Sequence, residues 1–281
     1  MSAVAVLRIG LVQMCSGLEP EANIAEASRL IRRAADAGAG FVATPEMTNI
    51  IEPRRAVLRE KVQEEGEDPS VAEFAALARE LGIWLSAGSL ALRSGDRLVN
   101  RSLLYRPDGQ VKARYDKIHL FDVMLPNGES YRESSSYDGG NEAVSADVGP
   151  FRLGLSVCYD LRFPQLYLAL ASAGATVLNI PSAFTRVTGE AHWHVLLRAR
   201  AIETGSFVIA AAQGGRHASG RETYGHSLVV DPWGGIMAEA DAQPGVILAD
   251  VDADRASEAR ARIPTLRHQR PITIEALGVG R

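Results

Sequence analysis

Three reactive side chains stand just past short apolar runs: Glu46 after residues 40–44, Lys117 after 111–115 and Cys158 after 151–157. Such runs are buried strands, and ligand sites in α/β sheets lie beyond the carboxyl ends of strands. The three could therefore converge. Taken singly, each has an ordinary explanation: a solvated glutamate, a surface lysine after a hairpin, a core cysteine acting as a small apolar residue. Together they form a chemical set. A thiol needs a base or a positive field to act as a nucleophile, and the backbone beyond a strand end favours nearby negative charge. A carboxylate beside an ammonium group can take the thiol proton and return it to a leaving amine. The ammonium, with backbone N–H groups such as that of Tyr159, can hold the charge that forms on a carbonyl oxygen. None of the six histidines has a context that suggests a base.

The elements that must position these groups alternate along the chain. Residues 4–12 form a first strand. Residues 23–37 carry Ile24, Ala27, Leu30, Ile31, Ala34 and Ala35 at helical spacing, with Gly38 placed to stop the helix. A second helix opens on a capping box, Ser70-Val-Ala-Glu73, and bears the stripe Val71, Phe74, Leu77, Ala78 and Leu81 before Gly82. Residues 83–89 are the next strand. Residues 100–105 and 111–115 flank the turn Arg106-Pro-Asp-Gly109 and should pair as an antiparallel hairpin. Beyond Cys158, Pro164 suits a first helical turn. Strands at 176–180 and 207–212 enclose a helix over 189–203. Residues 227–230 and 236–239 bracket Asp231-Pro-Trp-Gly234, and 245–251 are a last strand before an irregular tail over 253–281. This succession predicts an α/β sandwich with outer helices, a single domain over 1–281 with its core at about 4–252.

Composition narrows the partners. A chain of 281 residues, 46% apolar and 23% charged, can bury a large core. Its net charge of −4 gives no basic footprint, so no nucleic acid is expected. Arg255, Arg260, Arg262, Arg267 and Arg270, interrupted by Asp254 and Glu258, suit a solvated tail. Cys15 and Cys158 alone cannot build a disulfide framework, and a cytoplasmic location is expected. No apolar run approaches the ~18 residues of a membrane span, and the N-terminus lacks a basic n-region. His192 and His194 point to different helix faces and no C-x-x-C or H-E-x-x-H pattern occurs, so no metal is expected. Gly214-Gly215 makes no nucleotide fingerprint, and no cofactor is expected.

Thr44-Pro-Glu46, Tyr115-Asp-Lys-Ile-His-Leu120 and Val157-Cys-Tyr-Asp-Leu-Arg-Phe-Pro164 resemble the three signature segments of the nitrilase superfamily of carbon–nitrogen hydrolases, in that family's order. The resemblance extends from about Leu7 to Arg270. It implies a four-layer αββα sandwich that pairs with a second copy, as a homodimer or higher oligomer. It also implies Glu46 as general base, Lys117 as electrostatic stabiliser and Cys158 as nucleophile. A second glutamate should support the lysine; Glu129 and Glu133 both stand in range, and Glu133, followed by Gly139-Gly140, fits better. The stretch from Pro181 to Gly234 is similar to the branch of deaminated glutathione amidases and ω-amidases, which hydrolyse the side-chain amide of a 2-oxo acid. That likeness implies such an amide as substrate, cleaved through a thioester. 2-Oxoglutaramate and N-carbamoyl amino acids are neighbouring substrates, and a catalytically silent scaffold is the non-enzymatic alternative. Arg162 could grip a substrate carboxylate by a bidentate contact or pair with Asp160. Phe184 and Thr188, ahead of Trp193, should wall the pocket.

Overall fold

The computed structural model describes residues 6–275; residues 4 and 5 of the expected first strand and 276–281 of the tail lie outside them. The first half holds β1 (Val6–Gln13), α1 (Pro20–Asp36), β2 (Phe41–Ala43), α2 (Arg55–Lys61), α3 (Pro69–Leu81), β3 (Trp84–Ser94), β4 (Arg97–Tyr105) and β5 (Val111–Asp116). A flap of two short strands, β6 (Asp122–Met124) and β7 (Ser130–Arg132), precedes β8 (Tyr137–Asp138). Then come β9 (Ser145–Val148), β10 (Phe151–Leu155), α4 (Pro164–Ser172), β11 (Val177–Asn179), α5 (Arg186–Thr204) and β12 (Phe207–Ala210). A small hairpin, β13 (Gly214–Arg216) and β14 (Glu222–Tyr224), leads to β15 (Leu228–Val230), β16 (Ile236–Glu239), β17 (Gly245–Asp252) and α6 (Ala253–Arg262).

Two sheets result. One has the order β17-β1-β2-β3-β4-β5 with β8 beside β4, and the other β16-β15-β12-β11-β10-β9. In each, three parallel strands sit between antiparallel flanks: β1, β2 and β3 in the first, β10, β11 and β12 in the second. Parallel neighbours need a crossover, which the intervening helices supply.

Alternation along the strands explains the layers. On β2, Phe41 and Ala43 point into the core between the sheets, and Val42 points outward. The outward residues, with Val12 and Leu85, meet Leu30 and Ile31 of α1 and Phe74 and Leu77 of α3. On the second sheet Leu153 and Leu155 join the inter-sheet core, while a side chain at Gly154 would meet Leu170 of α4. Strands apolar on both faces must be covered on both faces, and the result is the expected αββα sandwich.

Four local expectations change. α3 starts at Pro69, and its cap is Asp68, whose carboxylate accepts from Ser70 N at 2.9 Å. Ser70 is therefore inside the helix, because proline is well suited to the first helical position. Glu73 does not close a capping box; it accepts from the Ser28 hydroxyl of α1 at 3.1 Å. The C-terminal tail begins as a helix, α6, capped by Asp252 with Ala256 and Ala259 buried. Arg260 of that helix donates to Thr204 O and Ala175 O, and Arg255 pairs with Asp231, so these two arginines are not simply solvated. Among the described residues no helix is long and apolar enough to cross a membrane.

Candidate active site

Glu46, Lys117 and Cys158 follow the carboxyl ends of β2, β5 and β10, and the fold brings them together. After β2 the chain turns through Thr44, whose hydroxyl accepts from Gly88 N at 3.0 Å and from the Thr48 hydroxyl at 2.8 Å. The turn lies so close to β3 that a Cβ on Gly88 would sit 1.9 Å from the Thr44 carbonyl oxygen, so only glycine fits there. Lys117 is held by its backbone: its N–H donates to Asn100 O at 3.0 Å and its carbonyl accepts from Gly140 N at 2.9 Å. Cys158 has φ +50, in the left-handed region. Its N–H donates to Pro181 O at 2.9 Å, and a five-residue 3₁₀ turn from Cys158 to Arg162 leads into α4 at Pro164. A non-glycine residue in that conformation carries strain on the order of 1 kcal/mol, which the packed surroundings must hold.

Lys117 Nζ lies 2.8 Å from Glu46 Oε1 and 2.8 and 3.1 Å from the two carboxylate oxygens of Glu133. Glu133 is thus the glutamate that reaches the lysine. Phe121 N donates to it at 2.7 Å. Glu129 stands at the exposed rim, where it accepts from the Tyr131 hydroxyl at 3.0 Å. Asn100 Nδ2 donates to Glu46 at 2.9 Å and to Glu133 at 3.2 Å. That residue escaped the sequence reading; on β4 it stands beside Arg101 and Ser102, and nothing in the sequence marks it out.

The electrostatics assign protons. Burial opposes the charge on Glu46, yet the Lys117 ammonium and hydrogen bonds from Cys158 and Lys117 hold its carboxyl below the usual range. Burial also opposes the charge on Lys117, but Glu133 and Glu46 keep it well above the ordinary ammonium value. Burial and the Glu46 charge push the Cys158 thiol well up, against the pull of Lys117 and the Ala183 N–H. The resting set is carboxylate, ammonium and neutral thiol. The expected bias toward negative charge at the strand end is outweighed by burial and by Glu46.

Asp160 ties two of the three segments together. Its buried carboxylate accepts from Val157 N at 2.8 Å, the Tyr115 hydroxyl at 2.6 Å and His119 N at 3.0 Å, with His119 Nδ1 at 2.7 Å. It therefore does not pair with Arg162. The loop carrying Lys117 and the turn carrying Cys158 are braced against each other through this one side chain.

The set opens into a cavity of about 590 Å³ lined by Cys158, Tyr159, Arg162, Phe184 and Thr188, the residues expected there, and by Tyr131 and Arg221, which were not. Arg162 lies over the Phe184 ring at 5.4 Å, with one Nη 3.2 Å from His192 Nδ1. The Tyr159 N–H makes no hydrogen bond among the described residues. Outside the cavity, His194 Nε2 and His226 Nδ1 each lie 2.9 Å from the same Glu239 oxygen. Their possible ligand atoms fall within 4.8 Å of one another, a grouping that the spacing of His192 and His194 does not reveal.

An acid, an amine and a thiol at the strand ends of an αββα sandwich define a class of enzyme. Residues 8–261 match the carbon-nitrogen hydrolase family, and the chain belongs to it. It is an amidase, hydrolysing carbon–nitrogen bonds of linear amides. The chain is similar to the deaminated glutathione amidase of Yersinia enterocolitica, 39% identical over 269 residues that cover 94% of this chain and 93% of that protein. It is similar also to the human deaminated glutathione amidase, 41% identical over 278 residues, 96% of this chain and 84% of that one. Among solved structures, the NitFhit protein of C. elegans superposes with a TM-score of 0.89 at 36% identity, covering 95% of this chain. The chain spans 66% of that longer protein.

Proposed function

We propose that the enzyme hydrolyses the side-chain amide of a 2-oxo acid, deaminated glutathione foremost, through a thioester on Cys158. The observation that carries this reading is the Lys117 ammonium bridging Glu46 and Glu133 beside a buried thiol at a ligand-sized cavity. Glu46 takes the thiol proton as sulfur attacks the amide carbon. Lys117 and the Tyr159 N–H hold the oxyanion. Glu46 passes its proton to the nitrogen, the C–N bond breaks and the amine-side product leaves. Glu46 then takes a proton from water as the water oxygen attacks the thioester; the C–S bond breaks and the sulfur recovers the proton. Arg162 offers a cationic contact to a substrate carboxylate. The likeness to enzymes named for deaminated glutathione supports that choice within the class.

A product-release panel tests it. Deaminated glutathione should give cysteinylglycine with the highest kcat/KM, ahead of ammonia from 2-oxoglutaramate and of ammonia with carbon dioxide from N-carbamoyl amino acids. Release from carbamoyl compounds alone would overturn the substrate reading.

The active species is a homodimer on the same proposal. Val195 and Ile202, two turns apart on α5, are 68% and 54% exposed, and Trp233 is 59% exposed. Ile202 reaches the turn at Gly234, next to Trp233. Contiguous exposed apolar residues mark association surfaces. Sedimentation should give twice the chain mass, and a monomer at all concentrations would count against pairing. Both cysteines are free, which suits a reducing, cytoplasmic setting.

A further inference from the structure

Of the cations in the cavity lining left without a role, Arg55, Arg132 and Arg221, only Arg221 carries a buried nitrogen without a hydrogen-bond partner among the described residues. Arg221 lines the cavity and makes no ion pair among the described residues. One of its terminal nitrogens, Nη2, donates to Ala183 O at 2.5 Å, and its guanidinium lies over the Tyr131 ring at 5.3 Å. Its Nε is buried with no hydrogen-bond partner among the described residues, and so is the hydroxyl of Ser219, two residues earlier and also in the cavity lining. Buried polar groups are almost always paired. Two donors without a protein partner beside one cavity, one of them on a cation, suit the binding of an oxyanion.

The placement is fixed from behind. Arg221 and Ser219 sit in the turn between β13 and β14, where His217 N donates to Arg221 O at 2.8 Å and Gly220 N to His217 O at 2.8 Å. The buried His217 ring pins this turn to the first sheet. Its Nδ1 donates to Ser16 O at 2.8 Å, so its Nε2 accepts from the Thr223 hydroxyl at 2.7 Å. The residue that Arg221 grips is Ala183, which lines the cavity beside Cys158 and whose backbone N–H counters the rise of the thiol. The guanidinium thus stands one residue's backbone from the nucleophile.

We propose that Arg221 and Ser219 form a second anion subsite of the cavity, which takes the carboxylate and 2-oxo oxygen of the acyl half. Arg162 is left for the anionic end of the leaving half. This deepens the amidase reading and rests on it: a substrate with one carboxylate on each side of the scissile amide meets one guanidinium for each.

The test compares the native enzyme with Arg221→Met and Arg221→Lys on 2-oxoglutaramate and on the neutral pentanamide. The quantity read is the ratio of kcat/KM for the acid amide to that for the neutral one. Arg221→Met should lower this ratio about 10- to 100-fold, the usual worth of a charge-assisted contact. Arg221→Lys should fall between, because the charge remains without the planar fork. An unchanged ratio overturns the proposal, and so does an equal loss on both amides, which would mean that Arg221 only supports Ala183. Binding of 2-oxoglutarate to Cys158→Ala, followed by calorimetry, supplies an arm without turnover, and adding Arg221→Met or Arg221→Lys should weaken it by about tenfold or more. Undiminished binding refutes the subsite. Failure of the native enzyme to cleave any 2-oxo acid amide would instead strike the substrate reading, leaving the binding arm to decide on the subsite.

Discussion

Cys158→Ala should abolish turnover, by a factor on the order of 10⁴ or more, while leaving the fold intact. The substitution removes the thiol that is hydrogen-bonded to Glu46 and lies in the field of Lys117. It leaves the backbone demands of the turn unchanged, since alanine meets the same cost as cysteine at φ +50. The Cys158 N–H still reaches Pro181 O, and Asp160 still braces Val157. Circular dichroism and the melting temperature should therefore remain close to native, with single-turnover assays showing no thioester burst. A variant retaining more than a few per cent of native kcat would remove Cys158 from the mechanism.

Lys117→Met has two large consequences. The first is chemical: kcat should fall by at least ~10², the cost of losing one oxyanion donor. The second is electrostatic. Glu46 and Glu133 both touch the ammonium, and without it two buried carboxylates face each other across the Asn100 amide. Removing one partner of a buried ion pair costs about 3–5 kcal/mol, and a loss of that size should lower the melting temperature by roughly 10 °C in a chain of this length. Because Lys117 holds the Glu46 carboxyl down, its loss raises that group, and the acid limb of kcat/KM moves to higher pH. Native kcat together with a native pH profile would exclude the assigned role. Glu133→Gln keeps the Lys117–Glu46 pair and should fall between the two.

Sequence alone makes the reacting groups legible because each follows a strand end, and the rules of α/β sheets say where strand ends point. The preference for Glu133 over Glu129 comes from the family resemblance, in which the supporting glutamate stands about six residues before a turn; here Gly139-Gly140 take that place, and Gly140 packs on Asp116, where a Cβ would lie 2.3 Å from its carbonyl oxygen. Residues whose roles depend on distant partners stay hidden. Asn100 works between side chains that arrive from two other segments, and Arg221 acquires meaning only when its turn folds back onto Ala183. Asp160 looks like a partner for Arg162, two residues away, but its carboxylate is consumed by groups some forty residues earlier. Helix α6 is missed because its buried stripe is only Ala256 and Ala259, too small to register as apolar periodicity. Its cap, Asp252, was the available signal. The short helix α2 is charged over most of its length and buries only Leu58.

The neutral thiol has a consequence for the life of the protein between substrates. Peroxide and alkylating reagents attack sulfur as the anion. A hydrogen-bearing sulfur, shut away beside a carboxylate that discourages ionisation, gives them little to react with. Reaction with them should therefore be slow until Glu46 has taken the proton. Such an enzyme is expected to lose activity to oxidants more slowly when idle than one that relies on a standing thiolate.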